Sequence, residues 1–122
     1  MNYQKLYQDI LGLDGNIRMV TICDTDGKIM YSDHRAGVSN LLTPDESRKS
    51  LEMAVNAWKS RSQLAPKIGK GKYVLAEYEK IKRITMPFGD RHLVYVTTEP
   101  QANHTNIISG ITSLVSSLVN SL

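Results

Sequence analysis

Five features of the sequence carry residue types that chemistry uses. Asp24-Thr25-Asp26-Gly27 begins like a calcium-binding loop, with two carboxylates followed by a glycine. Such a loop needs further oxygen donors and a closing glutamate, and here Lys28, Ile29 and Met30 follow instead. The tetrad is better explained as a hairpin turn, in which aspartates accept backbone hydrogen bonds and Gly27 supplies a positive φ. Gly69-Lys70-Gly71-Lys72 has the look of a phosphate-binding loop, but it lacks the Walker spacing and the hydroxyl after the lysine, and a strand follows where a helix is needed. His34, His92 and His104 are far apart, with no partner at metal-ligand spacing. Cys23, the sole cysteine, lies in an apolar run without a local activator, which points to an inert buried thiol. Asn103-His104-Thr105 matches a glycosylation sequon and, with no secretory signal ahead of it, is expected to be a helix cap. No cofactor, metal or catalytic group is therefore expected, and the chain reads as a non-enzyme.

The elements around these residues follow from periodicity. Tyr3, Leu6, Tyr7, Ile10, Leu11 and Leu13 recur at three- and four-residue spacing and predict a short helix ended by Asp14-Gly15-Asn16. Residues 17–33 form two extended segments about the Asp24–Gly27 turn. In the first, Val20 and Ile22 are expected on one side and Ile17, Met19 and Cys23 on the other, so the strand should be central and covered on both faces. After an irregular loop over 34–42, Thr43 as cap, Pro44 in the first turn and Glu46 three residues after the cap start a helix that runs to about residue 62. Leu51, Ala54, Val55 and Trp58 are its expected core face, and Ser50, Met53 and Ala57 form a weaker stripe nearly opposite.

Residues 62–71 read as a loop. Strands are expected over 72–78 and 81–86, joined by a turn at Glu79-Lys80 and stopped by Pro87. Leu93 to Val96 is a continuous apolar run, the mark of a second central strand pairing with the first. A closing helix, capped by Asn103 or Thr105, has Ile107, Ile111, Leu114 and Leu118 on one stripe, flanked by Ile108, Val115, Val119 and Leu122. Gly110 inside it implies close packing.

A length of 122 residues, 41% hydrophobic and 22% charged, fits one globular domain with one real core. The single cysteine, the lack of a signal peptide and the frequent Ser, Thr and Asn in 100–122 point to a cytosolic protein without a membrane span. Charge is uneven. Eight cations against Glu77 and Glu79 give residues 59–83 a charge of +6, which leaves −3 for the rest of a chain whose total is +3. Lys67, Lys70, Lys72, Lys80, Lys82 and Arg83 are the candidate patch for an anionic partner, although a lysine-rich solvated edge accounts for the same residues. No nucleic-acid reader motif accompanies them.

The order helix, strand, strand, long helix, three strands, helix resembles the Roadblock (dynein light chain) family. ILGLDGNIRMVTICDTDGKIMYSD and YEKIKRITMPFGDRHLVYVTTE also resemble short single-domain archaeal proteins with Roadblock-like expectations. The resemblance implies an α+β domain of three layers, α/β/α, spanning 1–122. Its five-stranded antiparallel sheet would run 2-1-5-4-3, with the long helix on one face and the first and last helices on the other. It further implies a homodimer formed through the long helix and the edge strand 73–78, acting as a platform for a small GTPase or as part of a signalling complex. The residues so implicated are Ser50, Met53, Ala57, Arg61, Tyr73 and Leu75. Two other functions are weighed beside it: a PAS- or GAF-type small-molecule sensor with its ligand between the sheet and the 34–42 loop, and a nucleic-acid or acidic-surface binder using the basic segment 59–83.

Overall fold

The computed structural model describes residues 2–120, with side chains through Leu118. Five antiparallel strands form one sheet in the order β2-β1-β5-β4-β3. They are β1 (Ile17–Asp24), β2 (Ile29–His34), β3 (Val74–Glu77), β4 (Lys82–Phe88) and β5 (His92–Thr98). The apolar run predicted for the centre is there: Leu93 to Thr98 of β5 are all buried between β1 and β4. Two helices, α1 (Tyr3–Leu11) and α4 (His104–Asn120), cover one face, and α2 (Pro44–Ser62) lies on the other.

The two faces are packed unequally. Under α1 and α4, Ile10, Ile17, Val20, Ile22, Ile84, Val94, Val96, Ile107 and Ile111 are sealed from water, each worth roughly 1.5–3 kcal/mol for its full burial. Under α2 the core is smaller, made of Cys23, Leu51, Ala54, Val55, Leu93 and Tyr95. Its surroundings are hydroxyl-bearing: Thr21, Thr85 and Thr97 are buried on that side or at its margins. Helix α2 therefore covers the middle of its face and leaves clefts on either flank.

Ile17 departs from the expected alternation. It packs with Val20 and Ile22 on the α1/α4 side, while Met19 and Cys23 face α2. The register against β5 shifts between Ile17 and Met19, so a β-bulge inserts one residue and returns Ile17 to the face it would otherwise leave. The 24–27 turn is as expected. The Asp24 carboxylate accepts from the backbone N–H groups of Asp26 and Lys28, both at 2.9 Å, and Gly27 has φ 90°. Those N–H groups, Lys28 first, hold the carboxyl of Asp24 below its ordinary range.

Helix α2 begins with the predicted capping box. Thr43 Oγ1 accepts from the Glu46 N–H at 3.2 Å, and the Glu46 carboxylate accepts from the Thr43 N–H at 2.9 Å. The expected loop over 62–71 contains instead a single helical turn, α3 (Ala65–Ile68), closed by Gly69 at φ 92°. Pro66 is compatible with it because the first turn of a helix needs no N–H donor there. Trp58 is half-buried at the margin of the α2 core rather than within it. Pro87 does not stop β4. It lies beyond Thr85, the last residue paired with β3, where one side of the strand has no ladder to break. At the start of α4, Asn103 Oδ1 accepts from the Asn106 N–H at 3.2 Å, which settles the cap. The apolar positions Val119 and Leu122 lie outside the described side chains.

Candidate interaction surface

The outer side of α2 carries Met53 at 61% exposure, with Ala57 half-buried and Arg61 exposed one and two turns on. Further along the chain Leu64 and Ile68 are also exposed, at 55% and 77%. Beside α2 runs β3, the end of the sheet, with no strand beyond it among the described residues. A groove of about 280 Å3 separates the two, lined by Met53, Ala57, Trp58, Arg61, Val74 and Ala76 among others. Free edge and apolar helix side thus form one continuous surface.

The six residues the sequence nominated for that surface do not all belong to it. Met53, Ala57 and Arg61 do, and Leu75 lines the same groove although its side chain packs against the α1/α4 core. Tyr73 lines a separate cleft against α4. Side chains alternate along a strand, so the β3 residues on the α2 side are Val74 and Ala76. Ser50 is turned toward the sheet. Its hydroxyl lies 2.9 Å from the Tyr95 hydroxyl and accepts from the Arg83 guanidinium at 2.7 Å.

The basic block is likewise divided. Lys82 is buried at 8% exposure on the α4 side, donating to the Ala102 carbonyl and paired with Glu77. Lys70 pairs with Asp90 on the surface. Lys72 lines the α4 cleft, and Lys67 is exposed on α3. Only Lys80 and Arg83 line a common cleft, on the α2 side. The Arg83 guanidinium carbon stands 5.7 Å from the ring centroids of both Tyr78 and Tyr95, at cation–π distance.

Three residues that the sequence did not single out organise the neighbourhood. Arg35 donates to the carbonyl oxygens of Leu11, Asp14 and Ile17 and so ties the 34–42 loop to the end of α1. Arg18 forms an ion pair with Glu99 and donates to the Ser39 carbonyl at 2.7 Å, holding the same loop from the other side. No sequence signal marks an arginine whose partners are backbone carbonyls distant in the chain. Tyr95 was assigned to the central strand, but not the hydroxyl that reaches Ser50.

The groups with chemical potential stay apart. His92 meets Tyr3 Oη at 3.1 Å, His104 meets Lys82, and His34 lies exposed at the end of β2. Among the described residues no group of three His, Cys, Asp or Glu side chains could hold a metal, and no helix is long and apolar enough to cross a membrane. Burial, then the neighbouring Asp24 charge, pushes the Cys23 thiol up to about 11, far from a reactive thiolate.

No family model matches the sequence, and no curated protein matches it. Solved structures do match. A Roadblock/LC7 domain from Streptomyces avermitilis superposes with a TM-score of 0.75 at 13% identity, over 96% of this chain and 94% of that one. The fold is that of a Roadblock/LC7 domain. The gliding protein MglB from Thermus thermophilus gives 0.78 at 12% identity, covering 96% of this chain and 85% of its own. An MglB in a tetrameric arrangement gives 0.79 at 12% identity with the same coverage. At these identities the shared property is the path of the backbone. The Roadblock/LC7 arrangement accounts for the 2-1-5-4-3 order and the placement of α2 opposite α1 and α4, as the sequence resemblance implied. The one long helix between β2 and β3, with a single short turn after it, is not the set of short helices that a PAS domain places there.

Proposed function

We propose that this chain is a non-enzymatic protein-interaction module that forms a homodimer through the outer side of α2 and the β3 edge. The carrying observation is that Met53 and Ala57 line one groove with Val74 and Ala76 of an unpaired strand edge. Exposed apolar side chains scattered singly need no explanation, whereas a band running beside a free edge does. A second copy fits that band. Met53 is the midpoint of α2, and the helix is acidic in its first turn, Asp45 and Glu46, and basic in its last, Lys59 and Arg61. An antiparallel copy related by a two-fold axis near Met53 sets each acidic turn beside the other's basic turn. The same axis aligns the two β3 edges antiparallel, and Lys72 and Lys80 lie outside the four residues that would pair.

The dimer serves as a scaffold or regulator for a protein partner, for which the Roadblock resemblance favours a small GTPase. The expected behaviour is a dimer at tens of micromolar in sedimentation velocity, converted to monomer by Met53→Glu. A strict monomer at high micromolar concentration, unchanged by that substitution, overturns the self-association. Failure of the dimeric protein to retain any GTPase of its own cell, in either nucleotide state, overturns the GTPase assignment and leaves the dimer standing.

A further inference from the structure

The cleft on the α2 side that Lys80 and Arg83 share is a second, separate surface. It has a volume of about 450 Å3, within the range of about 300–1,000 Å3 typical of small-molecule sites. The sheet forms its floor, and the first half of α2, the 38–42 loop and the β3–β4 turn form its walls. Two observations there need a common explanation.

First, Arg83 is half-buried, yet no carboxylate among the described residues lies within ion-pair distance of it. One of its five donors is used, on Ser50, and its flanks are taken by Tyr78 and Tyr95. Half-buried cations are ordinarily compensated, because removing a charge from water without a partner is costly. Lys80, at the rim, is likewise without a carboxylate partner among the described residues. Second, Leu41 and Leu42 remain 56% and 40% exposed on the same cleft, with Ile81 half-buried beside them. Uncompensated donors at one end and unfilled apolar wall along the other describe a ligand with a charged head and an apolar body.

We propose that this cleft binds a small organic carboxylate, its head group on Arg83 and Lys80 and its body along Leu41, Leu42 and Ile81. The guanidinium fork matches a carboxylate in two parallel hydrogen bonds. Inorganic phosphate suits the site less well, because it has no apolar body for the leucines. The site goes beyond the self-association surface, with which it shares Arg83 alone among its lining residues.

The test uses anilinonaphthalenesulfonate, an apolar anion whose fluorescence rises on binding, with decanoate and decanol as competitors. One saturable site per chain is expected, with decanoate displacing the probe about tenfold or more better than decanol. Arg83→Gln and Lys80→Glu should each weaken the probe by about tenfold or more, while Met53→Glu leaves it unchanged. Lys80 sits on an exposed turn, so Lys80→Glu keeps the test valid if Arg83→Gln fails to fold. Equal displacement by decanol and decanoate overturns the proposal. So does unchanged affinity in Lys80→Glu, or a loss confined to Lys72→Glu, which would put the probe in the α4 cleft. Because Met53→Glu and Lys80→Glu act on different surfaces, failure of the dimer and failure of the ligand site are told apart.

Discussion

Lys82 Nζ lies 3.0 Å from Nδ1 of His104 and 2.9 Å from the carbonyl oxygen of Ala102. An ammonium only donates, so in this contact the imidazole accepts at Nδ1. This contact joins β4 to the first residue of α4. His104→Leu takes an acceptor from a buried cation and should cost about 1.5–3 kcal/mol in urea unfolding. Lys82→Met frees the buried Ala102 carbonyl as well as the half-exposed imidazole, so it should cost at least as much. In the double variant the effects should be less than additive. Simple additivity would show that the contact carries no coupling.

Gly110 is where the close packing of α4 is decided. A Cβ there would stand 3.0 Å from both terminal methyls of Leu13, tighter than ordinary carbon contact. Leu13 is 39% exposed, so it has room to swing outward. Gly110→Ala alone should be close to neutral, the helix gain of about 0.8–1 kcal/mol offset by displaced leucine. In a Leu13→Ala background the same substitution should deliver that gain, since the clashing methyls are gone. Equal effects in the two backgrounds would exclude the contact as the reason for glycine.

The capping box at Thr43-Pro44-Glu46 and the turn at Asp24 to Gly27 were legible because their hydrogen bonds close within four residues. The apolar run of β5 was legible because a strand buried on both faces has no alternation to misread. What escaped depends on the partner strand or on distant atoms. The bulge at Ile17 is a property of the β1–β5 pair, and no pattern within β1 reports it. Tyr73 and Leu75 are joined to α2 by the family resemblance, whereas strand parity turns Tyr73 to the α4 cleft and the Leu75 side chain to the α1/α4 core. The basic block reads as a single patch in sequence because charge sums ignore the sheet between Lys82 and Arg83.

Cys23 predicts an alkaline limb in stability. Burial and then the Asp24 charge disfavour the thiolate and push the folded thiol up to about 11 from an ordinary 9.0. Between those values the native state holds a proton that the unfolded chain has released, so stability is full below about pH 9 and falls as pH rises toward 11. The loss is on the order of 3 kcal/mol. Tyr7, raised chiefly by burial, adds to it at higher pH. Cys23→Ala should lower stability at neutral pH yet show a shallower decline over that window in urea titrations. An unaltered limb in the variant would assign the decline to other groups.

Trp58, the only tryptophan, is placed to report on self-association. Its ring packs against the α2 core on one side, and a ring atom stands 3.3 Å from where a Cβ on Gly71 would lie. The remainder borders the groove between α2 and β3 with Met53 and Ala57. A second copy on that groove removes this part of the indole from water. Emission should therefore shift to the blue as concentration rises, with a midpoint matching that from sedimentation, while Met53→Glu keeps the longer-wavelength emission of the monomer at every concentration. Because the ring is half-buried, Trp58→Ala in the Met53→Glu background should cost less than the ~3–5 kcal/mol of a fully buried aromatic. Association measured by sedimentation with no change in Trp58 emission would place the contact elsewhere on the molecule, and the α2–β3 surface would then have to be given up as the dimer interface.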